Sequence, residues 1–170
     1  MLNKIFLASV LLLCFELNCS AQNIVRADTS VYNNLIGTNS ESLANSLDFR
    51  FKSFGLIGKE FSKETQFGIK VFKVNQEYLV VFLETDPISE KTWIIKDQIL
   101  LGNIVDGYSI ATQMCKRNNK KESGIFAVAK NSNETYQTEI KQAWKINFSR
   151  KRIDRIETDG IKCESMFSTK

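Results

Sequence analysis

The residues of this sequence that are best suited to chemistry are acidic. Glu84, Asp86 and Glu90 lie on either side of the single proline, Pro87, and Asp97 follows in the next apolar run. Two carboxylates held about 5 to 9.5 Å apart in a cleft can hydrolyse a glycosidic bond. The same residues could hold a divalent cation, but they lack the alternating oxygen ligands of a calcium loop. The hypothesis of a small carboxylate-dependent hydrolase therefore stays open, beside the simpler interpretation that these residues form a solvated loop.

The chain contains no histidine. That absence excludes Ser-His-Asp and Cys-His nucleophilic sites, His-ligated zinc and copper, and imidazole acid–base catalysis. Carboxylate, Ser-Lys, Tyr or Arg chemistry would remain, and no motif for any of these is present. We therefore predict no catalytic residue, no metal and no cofactor, and we favour a protein that is not an enzyme.

The N-terminus has the organisation of a cleavable export signal. Lys4 precedes an apolar run over positions 5–15, which is shorter than the roughly 20 residues that span a bilayer. Cys19 and Ala21 place small side chains three and one residues before Gln22, a spacing that signal peptidase accepts. A lipidated Cys19 is the alternative, which is disfavoured because the residues around it depart from a lipobox.

We predict that residues 1–21 are removed and that residues 22–170 form a single exported domain, periplasmic or secreted. No apolar stretch after residue 15 is long enough to make a transmembrane segment. No linker rich in Gly, Ser or Pro divides the remaining chain, and no internal repeat is present.

Four cysteines occur in the sequence, and two of them would leave with the signal. The remaining pair is Cys115 and Cys163, and two cysteines in an exported chain most simply form one disulfide. A catalytic or metal-binding thiol pair is the alternative, but the C-x-x-C spacing and a nearby histidine are both missing. We therefore predict a structural disulfide.

Positive charge is concentrated toward the C-terminus. Residues 22–114 contain 9 Lys/Arg and 11 Asp/Glu, whereas residues 115–170 contain 13 and 7. This density is far below that of a nucleic-acid-binding domain, so no nucleic acid partner is predicted. The candidate binding surface combines two basic clusters with one tryptophan that follows a loop: Lys116, Arg117, Lys120, Lys121, Lys151, Arg152, Arg155 and Trp93.

Two interpretations of these basic clusters stay open. The first is that they are solvated loops and a β-edge that lysine protects from aggregation. The second is that the disulfide brings them together into one positive surface. Such a surface would meet an acidic protein, anionic lipid or a polyanionic envelope polymer.

Most of the chain has the apolar patterns of strands. We predict strands over 47–51, 67–71, 78–83, 92–101 and 124–129, with a hairpin joining the second and third. A strand is favoured over 108–115, with a helix as the alternative, and a charged loop is expected over 116–123. Ile153 and Ile156 are expected in a short basic strand that ends near Cys163. One helical turn is expected around 40–43.

The one longer helix is predicted near the C-terminus. Tyr136, Ile140, Ala143, Trp144 and Asn147 follow a helical spacing, so the apolar side chains among them would share one face. With this helix packed on a mostly antiparallel sheet, the predicted fold class is α+β in a single domain.

Three short segments carry a resemblance. Residues 126–129, 141–145 and 161–163 have the sequences FAVA, KQAWK and IKC. They are similar to the C-terminal half of small exported bacterial proteins of unknown function, in which a late cysteine pairs with an earlier one. The resemblance covers residues 110–165, and this chain departs from it by ending soon after the late cysteine. It implies kinship of fold and no activity.

These observations favour a non-catalytic exported binding protein of the cell envelope, for instance an inhibitor or immunity-type protein that neutralises another protein. Such proteins need only a rigid, charged and complementary face. The hydrolase described above is the competing hypothesis. A carrier of apolar ligands is the third, and it would need an internal cavity lined by some of the 12 phenylalanines.

Overall fold

The computed structural model describes residues 35–44, 50–56, 66–89, 92–112 and 114–165. Strands make up 57% of the structure and helix only 4%. No helix among the described residues is long and apolar enough to cross a membrane. The predicted export signal, its cleavage site and the alternative lipidated cysteine all lie outside the described residues.

The described residues contain one helical turn and twelve strands. In order they are α1 (Ser40–Ala44), β1 (Arg50–Leu56), β2 (Phe67–Val74), β3 (Glu77–Thr85), β4 (Trp93–Leu101), β5 (Tyr108–Ala111), β6 (Lys116–Arg117), β7 (Lys120–Lys121), β8 (Ile125–Lys130), β9 (Tyr136–Gln137), β10 (Ile140–Asn147), β11 (Arg152–Ile156) and β12 (Ile161–Glu164). The strands form three four-stranded sheets, and every pairing is antiparallel.

The N-terminal sheet consists of β1, β2, β3 and β4, each paired with its neighbour in the sequence. Strands β2 and β3 form the predicted hairpin, and the short turn between them begins at Asn75 with a φ of 54°. Leu79 and Val81 face the side covered by α1, whereas Val80 and Phe82 face the opposite side, and all four are fully buried. This burial on both faces explains why the sequence of β3 is continuously apolar.

The central sheet has the order β11-β10-β8-β5 and packs against the N-terminal sheet. Phe126 and Trp144 lie on the face toward the N-terminal sheet, in one core with Phe82. The other face carries small side chains, among them Ala127 and Ala143. Because alternate residues of a strand point to opposite faces, both sides of this sheet are buried.

The disulfide sheet is the smallest, with the order β7-β6-β12-β9. Cys115 and Cys163 form the predicted disulfide, which is thereby confirmed. Both cysteines and Ile161 are buried in a core with the alanine face of the central sheet. The three sheets therefore form successive layers, with the central sheet in the middle.

The predicted C-terminal helix is wrong, and with it the α+β class. Tyr136 lies in β9, whereas Ile140, Ala143, Trp144 and Asn147 lie in β10, at the middle of the central sheet. Trp144 and Ala143 pack into different cores on opposite faces. Both faces of β10 are buried, and its register shifts after Ile140. Its apolar residues therefore occur at spacings that also fit a helix.

Two further sequence predictions have a definite outcome. The helical turn expected around 40–43 is confirmed by α1. The charged loop expected over 116–123 is instead a tight hairpin of β6 and β7. Asn118 and Asn119 form its two-residue turn with φ values of 50° and 63°, the left-handed backbone that such turns require.

Candidate functional site

The disulfide sheet presents three lysines side by side on its outer face. Lys116 of β6 is directly opposite Lys121 of β7 on one side and Lys162 of β12 on the other. Directly paired residues of antiparallel strands point to the same face. Cys163 follows Lys162 and is buried on the inner face, so the alternation of β12 directs the three lysines outward.

Tyr136 and Glu164 complete this surface. They are opposite each other in the pairing of β9 with β12. The Lys116 ammonium donates a hydrogen bond of 2.5 Å to the Tyr136 hydroxyl, which raises the pKa of Lys116 above its ordinary value. The ammonium groups of Lys116 and Lys162 lie 4.6 and 4.7 Å from the centre of the Tyr136 ring. We call Lys116, Lys121, Lys162, Tyr136 and Glu164 the lysine face.

The hairpin that carries this face is fixed to the rest of the molecule. The backbone amide of Asn118 donates a hydrogen bond of 2.9 Å to the backbone carbonyl of Gly160, in the turn that precedes β12. Gly160 has a φ of 71°, and a Cβ there would lie 2.1 Å from the Asn118 side-chain oxygen. A side chain at position 160 would therefore strain the left-handed backbone and displace the end of the Asn118 side chain, so Gly160 and the disulfide together position the hairpin.

The lysine face has an unfavourable electrostatic arrangement. Like charges directly opposite each other on neighbouring strands destabilise a sheet. Five ion pairs join described residues, and none of them involves Lys116, Lys121 or Lys162. Tyr136 contacts Lys116 and Lys162, and the Glu164 carboxylate acts on Lys116 through its charge. A surface that retains such repulsion is suited to an anionic partner, which would relieve it.

The other half of the predicted basic surface lies elsewhere. Lys151, Arg152 and Arg155 belong to the β10–β11 hairpin and to β11, at the edge of the central sheet. Lys151 bonds to Glu84 of the N-terminal sheet, and Arg152 bonds to Asp154 at 2.6 Å. The structure therefore divides the predicted surface: the hairpin lysines lie on the disulfide sheet, and two of these three cations are already paired.

The remaining predicted residues take no part in the outer face. Arg117 and Lys120 are opposite each other one position further along the hairpin, so they point to the other side of the disulfide sheet. Trp93 packs against the core beneath α1, on the far side of the N-terminal sheet. Lys162 and Tyr136 were missed. Side chains along a strand alternate between its two faces, so a buried Cys163 implies that the neighbouring Lys162 points outward. This signal could have identified Lys162.

The carboxylates considered for hydrolysis have structural partners. Although burial raises the pKa of Glu84, hydrogen bonds from Lys151 and Lys96 outweigh it and hold that pKa below its ordinary value. Asp97 accepts backbone hydrogen bonds from Gln98 at 2.8 Å and from Ile153 at 2.6 Å.

A third candidate carboxylate, Asp86, accepts a bond of 2.9 Å from the Ile88 amide within its own turn. The fourth, Glu90, lies outside the described residues. The lowered pKa of Glu84 is the opposite of what glycoside hydrolysis needs, because its general acid has a raised pKa.

Comparison with known proteins adds no further assignment. No protein-family model, no curated protein and no solved structure matches this chain. Among the described residues no group of three or more Cys, Asp or Glu side chains could hold a metal ion. The geometry of the described residues is therefore the basis for a functional assignment.

Proposed function

We propose that this protein is an exported, non-catalytic binding protein whose lysine face meets an acidic surface of another protein. The observation that carries the proposal is the row of Lys121, Lys116 and Lys162 across three neighbouring strands. Export rests on the predicted signal at residues 1–21, and the buried disulfide is compatible with it.

A binding role requires a rigid surface and complementary charge, and the fold supports both. The disulfide sheet rests on a core that contains Cys163 and Ala143, both fully buried. A partner would therefore meet lysines whose backbone positions are already determined, which lowers the entropic cost of association. An inhibitor or immunity-type protein that neutralises another protein fits this description.

A protein partner is favoured over a lipid surface or a simple polymer because the lysine face is chemically mixed. Tyr136 lies between two of the lysines, and tyrosine is enriched in protein interfaces because it combines apolar area with a hydroxyl. Glu164 adds a negative charge on the same face. A surface built only for anionic lipid gains nothing from a carboxylate at that position.

The proposal is tested with a fluorescent peptide of ten glutamates as the probe, measured by anisotropy at low and high salt. Reversal of Lys116, Lys121 and Lys162 to Glu should weaken binding by about tenfold or more, since each exposed contact contributes a few tenths of a kcal/mol. Binding of the unchanged protein should also decrease as salt rises.

The matched control reverses three exposed cations outside the face: Lys52, Lys141 and Arg150. It changes the net charge by the same amount, so equal losses in both variants would show that only total charge matters. Vesicles of anionic phosphatidylglycerol provide a second arm. Strong binding to the vesicles with none to the peptide would contradict a protein partner.

A further inference from the structure

A cleft of about 270 Å³ opens where the edges of two sheets meet. One wall is β4, the edge strand of the N-terminal sheet, and the other is β11, the edge strand of the central sheet. The cleft is separate from the lysine face, which lies on the disulfide sheet. Its lining combines apolar and polar side chains: Ile99, Leu101, Gln142, Trp144, Ile153 and Arg155.

The two edge strands are joined at one end of this cleft. The Asp97 carboxylate of β4 accepts a hydrogen bond of 2.6 Å from the backbone amide of Ile153 in β11. Asp97 lies at a register shift of β4, and its other oxygen accepts a bond from the amide of Gln98. The carboxylate therefore holds the two sheets together at Ile153, which lines the cleft.

The apolar part of the cleft is well ordered by packing. Trp144 is 7% exposed, and its ring stacks on Phe126 with a centroid separation of 5.3 Å and an interplanar angle of 14°. Ile99 and Ile153 are partly buried against the same core. The walls are thus fixed before any ligand enters, as is usual for small-molecule sites.

The polar part consists of a cation and an amide on neighbouring strands. Arg155 is directly opposite Trp144 in the pairing of β10 with β11, so both side chains point to the same face. None of the ion pairs among the described residues involves Arg155, whereas Arg152 on the same strand is paired with Asp154. Gln142 is 8% exposed and adds an amide to the lining.

We propose that this cleft binds a small amphiphile with an anionic oxyacid head group, a carboxylate or a phosphate. The Arg155 guanidinium matches the paired oxygens of either group and binds them through charge-assisted hydrogen bonds. The tail lies along Trp144, Ile99 and Ile153. The cleft volume of about 270 Å³ is close to the lower end of the range for small-molecule sites, about 300 Å³, which favours a short-chain ligand.

The test uses the oxidised protein with four probes below micelle-forming concentrations: octanoate, octyl phosphate, octanol and acetate. The two indole N–H signals of Trp93 and Trp144 are followed by NMR and are assigned with a Trp93→Phe variant. Octanoate or octyl phosphate should shift the Trp144 signal saturably. The Trp93 signal should stay in place, because Trp93 packs in a different core on the other side of the N-terminal sheet.

Arg155→Gln should weaken binding of the anion by on the order of tenfold, since a hydrogen bond to a charged group is lost. The matched control is Arg152→Gln on the same strand, which should leave the affinity unchanged. Preference for octanoate assigns the site to carboxylates, and preference for octyl phosphate assigns it to phosphates.

Three results would overturn the inference. The first is the absence of a saturable Trp144 shift with either anion. The second is octanol binding as tightly as both anions while Arg155→Gln has no effect, which would leave only an apolar crevice. The third is acetate binding as well as octanoate, which would remove the role of the tail. Since none of these probes reports on the lysine face, failure here leaves the proposed function standing.

Discussion

Reduction of the Cys115–Cys163 disulfide is expected to lower the free energy of unfolding by about 4 kcal/mol. The two cysteines are 48 residues apart in the sequence, and this is the value that the loss of chain entropy gives for a closed loop of that length. For a chain of this size the melting temperature should fall by about 10 °C. Urea unfolding and differential scanning calorimetry of the oxidised and reduced protein measure the two quantities.

The comparison of oxidised with reduced wild-type protein isolates the cross-link, because both sulfur atoms stay in the core. A Cys115→Ala/Cys163→Ala variant should be less stable than the reduced protein by a further increment. Both positions are almost fully buried, and the smaller side chains leave unfilled space. Equal unfolding midpoints for the oxidised and reduced protein would refute the entropic reasoning and would indicate that the disulfide sheet unfolds separately from the rest.

Two further predictions concern contacts between the sheets. Glu84→Gln should lower the free energy of unfolding by about 1–2 kcal/mol at neutral pH, since it removes charge-assisted bonds to Lys151 and Lys96. Because the pKa of Glu84 is lowered in the folded state, its contribution is lost as pH falls through that lowered pKa, so the difference should be smaller at acid pH than at neutral pH. An equal difference in urea unfolding at both pH values would contradict this. Asp97→Ala should cost about 1–3 kcal/mol and speed hydrogen exchange of the Ile153 amide, whereas Asp97→Asn keeps an acceptor and should cost less. Unchanged exchange at Ile153 in the alanine variant would be evidence against the Asp97 bridge.

The strands that sequence could identify are those bounded by turn residues. Asn75 separates two apolar runs, and the structure places a hairpin there. Asp106 and Gly107 likewise precede β5. These signals are local, because turn chemistry and alternation depend on neighbouring residues alone.

The error at β10 has a physical origin. Ala143 and Trp144 are consecutive in the chain and buried in different cores, because the central sheet is covered on both sides. Knowledge of that coverage requires the positions of the two other sheets, which lie far away in the sequence. Without it, an apolar spacing over about a dozen residues fits a strand and a helix equally well.

The candidate site was predictable in part. Lys116 and Lys121 stand out in the sequence because basic residues are dense there. Lys162 joins them only through the pairing of β6 with β12, whereas Lys151 lies at the edge of the central sheet and bonds to Glu84 of the N-terminal sheet. Charge density therefore located two of the five residues of the lysine face, and long-range strand pairing determined the rest.

The place of β12 within the disulfide sheet has a consequence for the order in which the molecule assembles. β12 is the last strand among the described residues, and it lies between β6 and β9, which make no pairing with each other there. The central sheet can form from β5, β8, β10 and β11 while the C-terminal residues are still unplaced. The disulfide sheet cannot form while those residues are unplaced, because it requires β12 to pair with β6, which lies far away in the sequence. Such long-range pairing is slow to form. We therefore expect the complete row of three lysines to form after the central sheet, so a chain in which β12 is unpaired would present Lys116 and Lys121 without Lys162.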